Sequence, residues 1–242
     1  MHKLQQQYQE QIQELVDACV RVAELGYVTS HGGNLSYRVA ENVVLITPTK
    51  VAKRKIKFDD ICLIDMAGNV LFAKEGRKPT GETPFHLRIF NKRPDVKGIV
   101  HAHPPVMTGF AIASTDLLAV PTLPEPIIEV GPMLTVPYEE PLTEALAEAF
   151  DDKLAYANAF LMKNHGALVV STEGVERALD FFEMMEAAAK SLLVAKLLGG
   201  VDPLSKEDVQ NLERTMKTRN LPMPGAPGKV SGLVELFFDR KK

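Results

Sequence analysis

The chain is poor in the features that announce several classes of protein. Its only two cysteines, Cys19 in a helical pattern and Cys62 in a strand pattern, make no C-x-x-C pair. They read as reduced packing residues of a cytoplasmic protein rather than as a disulfide frame or a thiolate metal site. No apolar run approaches the roughly 20 residues that cross a bilayer. The N-terminal stretch MHKLQQQYQEQIQEL is polar and lacks an apolar signal core, so neither secretion nor a membrane partner is expected. Excess charge of either sign is also missing. With a net charge of −3 and a pI near 6.1, no global basic field draws nucleic acid. Internal repeats, low-complexity segments and the dinucleotide fingerprint G-x-G-x-x-G are absent.

What remains is an ordinary globular balance of 45% apolar and 24% charged residues in 242 positions, enough for one large domain with a sizeable core. We expect a single domain over 1–242, with 200–242 as a C-terminal arm. Ile12, Leu15, Val16, Cys19 and Val22 recur at helical intervals and predict a helix over about 5–25, stopped by Gly26. NVVLITP, and ICLID with VLF across the turn MAGN, read as strands, the last two as a hairpin. TPFHLRIFNKRPD reads as a helix with Thr83 as cap and Pro84 at its first position. VKGIVHAH is then a strand and VMTGFAIA a short helix. The segment AVPTLPEPIIEVGPMLTVPY holds five of the sixteen prolines and is expected to be strands and turns rather than helix. A helix at about 141–150, strands AFLM and ALVV around the turn KNHG, and a long helix over about 173–198 capped by Ser171 or Thr172 follow. The tail carries a short charged helix, the stretch LPMPGAPGKVSG and an apolar ending that looks like a docking arm. This alternation predicts an α/β sandwich around one sheet.

Candidate chemistry centres on GIVHAHPP. On a strand, residues two apart share a face roughly 6 to 7 Å apart, so His101 and His103 can converge on one ion. Alone the pair reads as packing or surface residues ahead of metal ligands. His165, in the turn KNHG, offers a third nitrogen, and a catalytic zinc site needs about three protein ligands and an open position. Glu82 and His86, four residues apart at a helix start, can share a face. Glu82 also reads as a carboxylate placed against the helix dipole. TSHGGNLSYR, TPTK and KPTG are turns rich in small and hydroxyl residues, and together make a pocket for an anion such as phosphate plausible. The basic run KVAKRKIK, Lys50 to Lys57, reads either as a solvated edge or as an aid to attracting such an anion.

In order and spacing, GGNLSYR, LITPTK, KPTGETPFHLRIFNKRPDVKGIVHAHPP and LMKNHGALVVSTEGVERALDFFEMMEAAA resemble the class II aldolase and adducin-head superfamily, within it the L-fuculose-phosphate aldolase branch. The resemblance runs from about residue 10 to 198. It implies a homotetramer of αβα subunits around a largely antiparallel or mixed sheet, with Zn2+, or another divalent metal, in a cleft at the subunit boundary. It assigns the metal to His101, His103 and His165, and the acid/base to Glu82, which can also ligate the metal when substrate is absent. Asn34, Thr49, Thr80 and Gly81 fall where the family surrounds the substrate phosphate. Lys50 stands where a glycine is usual and joins the phosphate-binding set, its charge either strengthening the hold on phosphate or marking a different acid substrate; Gly81 stands where a second hydroxyl residue is usual. Glu125 falls near the position of a tyrosine that assists from a neighbouring subunit. The role of His86 stays open.

The resemblance implies a zinc-dependent aldolase cleaving a ketose 1-phosphate to dihydroxyacetone phosphate and an aldehyde. Such cleavage needs a Lewis acid on the carbonyl oxygen and a carboxylate to move a proton. The alternative it leaves open is a metal-dependent decarboxylase or dehydratase of a related sugar acid or sugar phosphate, to which Lys50, Gly81 and Glu125 point. A 4-epimerase is disfavoured, because no tyrosine follows Tyr156 and that branch carries Asp at the position of Glu82. A non-catalytic scaffold is disfavoured because all three histidines and Glu82 are present.

Overall fold

Eight strands joined in one sheet organise the computed structural model, which describes residues 2–240. The strands are β1 (Asn34–Ala40), β2 (Val43–Ile46), β3 (Cys62–Ile64), β4 (Val70–Phe72), β5 (Gly98–Ala102), β6 (Met133–Val136), β7 (Ala159–Met162) and β8 (Gly166–Ser171). Their order is β4-β3-β2-β1-β5-β8-β7-β6, antiparallel throughout except for the parallel pair β6 and β7. The expected α/β sandwich around a largely antiparallel sheet is what is found. The helices are α1 (Lys3–Gln7), α2 (Gln9–Glu24), α3 (Thr83–Lys92), α4 (Pro105–Ala113), α5 (Pro124–Glu129), α6 (Glu144–Glu148), α7 (Val175–Leu197), α8 (Lys206–Thr218) and α9 (Leu233–Phe237).

Strand alternation divides the core in two. Leu35, Leu45, Val100, Ala102, Ala167 and Val169 pack on one face with α2, α4 and α7. Val44, Ile46, Ile99, Phe160, Leu168 and Val170 pack on the other against Phe85, Ile89 and Phe90 of α3 and Leu146 of α6. Cys19 and Cys62 are free and fully buried, one on each side. Burial raises their thiols to about 12 and about 11, as inert packing residues require.

Several boundaries differ from expectation. The glycine-rich piece expected as a turn becomes, from Asn34, a central strand paired with both β2 and β5. Its alternation of Leu35, Tyr37 and Val39 with Ser36 and Arg38 was the available signal. α5 forms inside the proline-rich segment because Pro124 and Pro126 occupy its first turn, where a missing N–H costs nothing. The first helix divides at Tyr8 into α1 and α2, and the helix expected at about 141–150 shortens to α6. Glu82, not Thr83, is the residue flanking α3, and Gly174 precedes α7, with Ser171 Oγ accepting from the Glu173 N–H in the turn before it.

The tail builds a third, small cluster of Val209 and Met216 from α8 and Leu233 and Leu236 from α9, closed by Ile127 of α5. Arg93, 2% exposed, ties this segment to the sheet. Its guanidinium pairs with Asp95 and donates to the carbonyls of Leu154, Ala157 and Gly225.

Candidate active site

The sheet register places the chemistry. Asn34 on β1 lies opposite His101 on β5, and Ser36 lies opposite Ile99, so Asn34, Ser36 and His101 share the face covered by α3. His103 lies just beyond the end of β5, its N–H donating to the Tyr27 carbonyl. The chain then turns into α4, whose first free N–H groups, of Val106 and Met107, donate to the buried carboxylate of Glu186 on α7. His165 sits in the β7–β8 turn, where Asn164 takes a left-handed conformation with φ of 55°. The glycine after it has a steric reason: a Cβ on Gly166 would lie 2.5 Å from Cδ2 of His103.

These placements bring His101, His103 and His165 together, with a ring nitrogen from each within 4.8 Å of the others. The Nε2 atoms of His101 and His103 are 3.2 Å apart. Glu82 faces the cluster, its Oε2 3.4 Å from His101 Nε2 and its Oε1 3.6 Å from His165 Nε2. It flanks the start of α3 without making a side-chain cap to it, and turns its carboxylate toward the histidines. Burial, followed by repulsion from the neighbouring imidazoles, holds His101 well below the usual imidazole range. Burial, with His165 and the cation of Lys53, lowers His103 to about 4. Burial lowers His165 also, against the pull of Glu82.

The imidazoles are therefore neutral and offer lone pairs. His101 shows it in detail: a carbonyl only accepts, so Nδ1 donates to the Ala167 oxygen at 2.9 Å, and Nε2 turns its lone pair toward His103 Nε2 at 3.2 Å and Glu82 Oε2 at 3.4 Å. A lone pair facing a carboxylate asks for a cation between them. Nδ1 of His165 is buried without a hydrogen-bond partner. Three neutral imidazoles beside a carboxylate, one with an orphaned nitrogen, fit a divalent metal ion of borderline hardness.

Behind Glu82 the polar side chains are tightly joined. Asn34 Nδ2 donates to Glu82 Oε2 at 2.6 Å, Asn34 Oδ1 meets His86 Nε2 at 2.5 Å, and His86 Nδ1 meets Ser36 Oγ at 2.7 Å. Asn34 is thus engaged at both ends of its amide, leaving one N–H for any phosphate. The turns TPTK and KPTG pair with each other: the Thr49 N–H donates to the Lys78 carbonyl, the Thr80 N–H to the Thr47 carbonyl, and Pro48 bridges Pro79. Thr49, Lys50 and Gly81 are exposed and Thr80 is half-buried. Lys50 has φ of 58°, the left-handed region that explains why glycine is usual there. Glu125 is exposed on α5 and has no hydrogen bond or ion pair to the cluster within its own chain.

Lys53 was missed, being submerged in a run read as one unit. It alone of that run's lysines and arginine is buried, at 1% exposure, and its ammonium has the His31 carbonyl, 3.3 Å away, as hydrogen-bond acceptor. Burial lowers its pKa, and attraction from Cys19 and Glu82 opposes the shift.

Residues 13–193 match the family described as Class II Aldolase and Adducin N-terminal domain. The chain belongs to this family. As a class II aldolase family member it is 35% identical over 172 residues to a 3-oxo-tetronate 4-phosphate decarboxylase of Haemophilus influenzae, covering 69% of this chain and 79% of the relative. It is 27% identical over 188 residues to an L-fuculose phosphate aldolase of Methanococcus maripaludis, covering 76% and 97%. The solved structure of YgbL from Escherichia coli shares the fold with a TM-score of 0.75 at 25% identity, covering 84% of this chain and 98% of that one. The family's likeness therefore extends to both decarboxylases and aldolases, with the higher identity on the decarboxylase side.

Proposed function

We propose that this protein is a divalent-metal-dependent lyase that breaks the carbon–carbon bond beside the hydroxyl-bearing neighbour of a ketone in a phosphorylated sugar acid or sugar. The observation that carries this reading is the set of three neutral imidazoles facing Glu82. His101, His103 and His165 hold the ion, which is zinc on the nitrogen-rich donor set. The ion supplies Lewis acidity toward the substrate's carbonyl and hydroxyl oxygens.

Decarboxylation of a 3-oxo sugar-acid phosphate is the reaction best supported, because the 35% identical relative bears that name. In a 3-oxo-tetronate 4-phosphate, C1 leaves as carbon dioxide, its bonding pair stays with C2 and the C3 oxygen, and C2 then takes a proton to give dihydroxyacetone phosphate. Glu82 delivers that proton. Thr49, Lys50, Thr80 and Gly81, on the paired turns, receive the phosphate. Aldol cleavage of a ketose 1-phosphate breaks the corresponding bond with an aldehyde leaving in place of carbon dioxide, and the likeness to the fuculose enzyme supports it as the second reading.

The homotetramer, with Glu125 reaching a neighbouring site, belongs to the same proposal. The exposed Ile112, Leu142, Val194, Leu197 and Leu198 supply apolar surface for such contacts. Offering the purified protein both substrates tests the reading. Carbon dioxide release that is lost on chelation and falls about 10²- to 10⁴-fold in Glu82→Gln is expected. Aldehyde release alone would select the second reading. Activity on neither substrate, or activity indifferent to both chelation and Glu82→Gln, would overturn the proposal.

A further inference from the structure

His86 is the one motif histidine left without a role, and its surroundings give it one. It is fully buried, stacked on Phe85, and held neutral by burial, which lowers it to about 3. A neutral imidazole has one N–H and one lone pair, so its two hydrogen bonds must run in opposite senses. Two directions are open to the set Ser36, His86, Asn34 and Glu82. In the first, Ser36 O–H donates to His86 Nδ1, His86 Nε2–H donates to Asn34 Oδ1, and Asn34 Nδ2–H donates to Glu82. In the second, every link is reversed, and the Asn34 oxygen faces Glu82.

Ser36 decides between them. It is 0% exposed and its hydroxyl has the His86 ring as its hydrogen-bond partner. In the reversed direction that hydroxyl would accept from His86 and its own proton would be stranded in the core, which costs about 1–3 kcal/mol. The reversed direction would also set the Asn34 oxygen against a Glu82 oxygen 2.6 Å away, placing two acceptors in contact.

We infer that Ser36, His86 and Asn34 form a one-way hydrogen-bond chain that fixes Oε2 of Glu82 as an acceptor and leaves Oε1, on the His165 side, as the oxygen that carries and passes the proton. The inference rests on the reading of Glu82 as the proton-transferring group. His86 is then a positioning residue, acting through Asn34, with Ser36 setting the direction. Asn34 serves the carboxylate ahead of the phosphate. The polar face of a central strand is explained by the same chain, since each of its members satisfies the next.

Nuclear magnetic resonance of ring-labelled histidine reads the direction without any activity. We expect His86 as the Nε2–H tautomer, with a slowly exchanging ring proton. An Nδ1–H tautomer would reverse the chain and overturn the inference. Kinetics then read the consequence, on whichever substrate the wild type turns over. His86→Leu should lower kcat about 10- to 100-fold while KM and metal content stay within about twofold, and His86→Gln, which keeps an N–H for Asn34, should recover most of the loss. Ser36→Ala, expected to lower kcat about 3- to 10-fold, decides the matter if His86→Leu does not fold. An unchanged kcat, a loss that follows metal content, or no recovery in His86→Gln would overturn the positioning role. Absence of lyase activity in the wild type, with the Nε2–H tautomer present, would sink the functional reading and leave the chain standing.

Discussion

The two faces of β1 and β5 are made by alternate residues of the same strands and do opposite work. Leu35, Val100 and Ala102 point into an apolar layer with α2 and α7. Asn34, Ser36 and His101 point toward α3 and are buried as deeply, at 4%, 0% and 0% exposure. On the first face stability comes from apolar area removed from water, and chemistry is absent. On the second, each polar group is satisfied by another, and the set ends on Glu82 and the open lone pair of His101. Mutual pairing makes these buried polar groups tolerable in the core, and the three histidines with Glu82 are what set this face apart.

Substitutions should break the comparison in opposite ways. The largest effect is expected at His101→Ala, which should remove lyase activity and metal together while costing about 1–3 kcal/mol of stability, from the buried Ala167 carbonyl left without its donor. A parallel loss of fold would merge the two faces. Leu35→Ala should do the reverse, costing about 2–5 kcal/mol in chemical denaturation, with metal content and kcat per folded molecule retained.

Acid should sharpen the contrast with a smaller effect. Burial holds His86 at about 3, His103 at about 4 and His101 lower than its ordinary value, whereas in the unfolded chain they protonate near 6.5. Below pH 6.5 the unfolded state binds more protons, so the metal-free fold loses stability as pH falls, the loss deepening toward about 3. Thermal melting between pH 7 and 4 should show it, and His86→Leu should weaken the slope. A slope unchanged in His86→Leu would remove His86 from the account.

Much of this arrangement was legible in the chain. Helical periodicity marked α2 and α7, and the hairpin of β3 and β4 followed from its turn. The order of Glu82, His101, His103 and His165 pointed to one site, and the structure brings all four within hydrogen-bonding or ion-pair distances. β1 was hidden because the glycines before it and the polar Asn34 and Ser36 were read together as a turn, and the alternation of Leu35, Tyr37 and Val39 was passed over. α5 was hidden because proline was read by count rather than by position in a first turn. Lys53 was hidden because a charged run carries no mark of which member turns inward. In the proposed reaction, the choice between carbon dioxide and an aldehyde as the leaving half would fall to side chains around the departing group, and the residues proposed for metal and phosphate are silent on it. The resemblance put the aldolase first, and the higher identity to a decarboxylase moves the weight to the alternative.

The central claim is that one face of the sheet is a metal centre. Titration of the metal-stripped protein with zinc, read by calorimetry, tests it most directly. The account predicts saturation at about one ion per chain, with strong binding lost in His101→Ala and kept in Leu35→Ala. No binding by the wild type, or equal binding by His101→Ala, would contradict it.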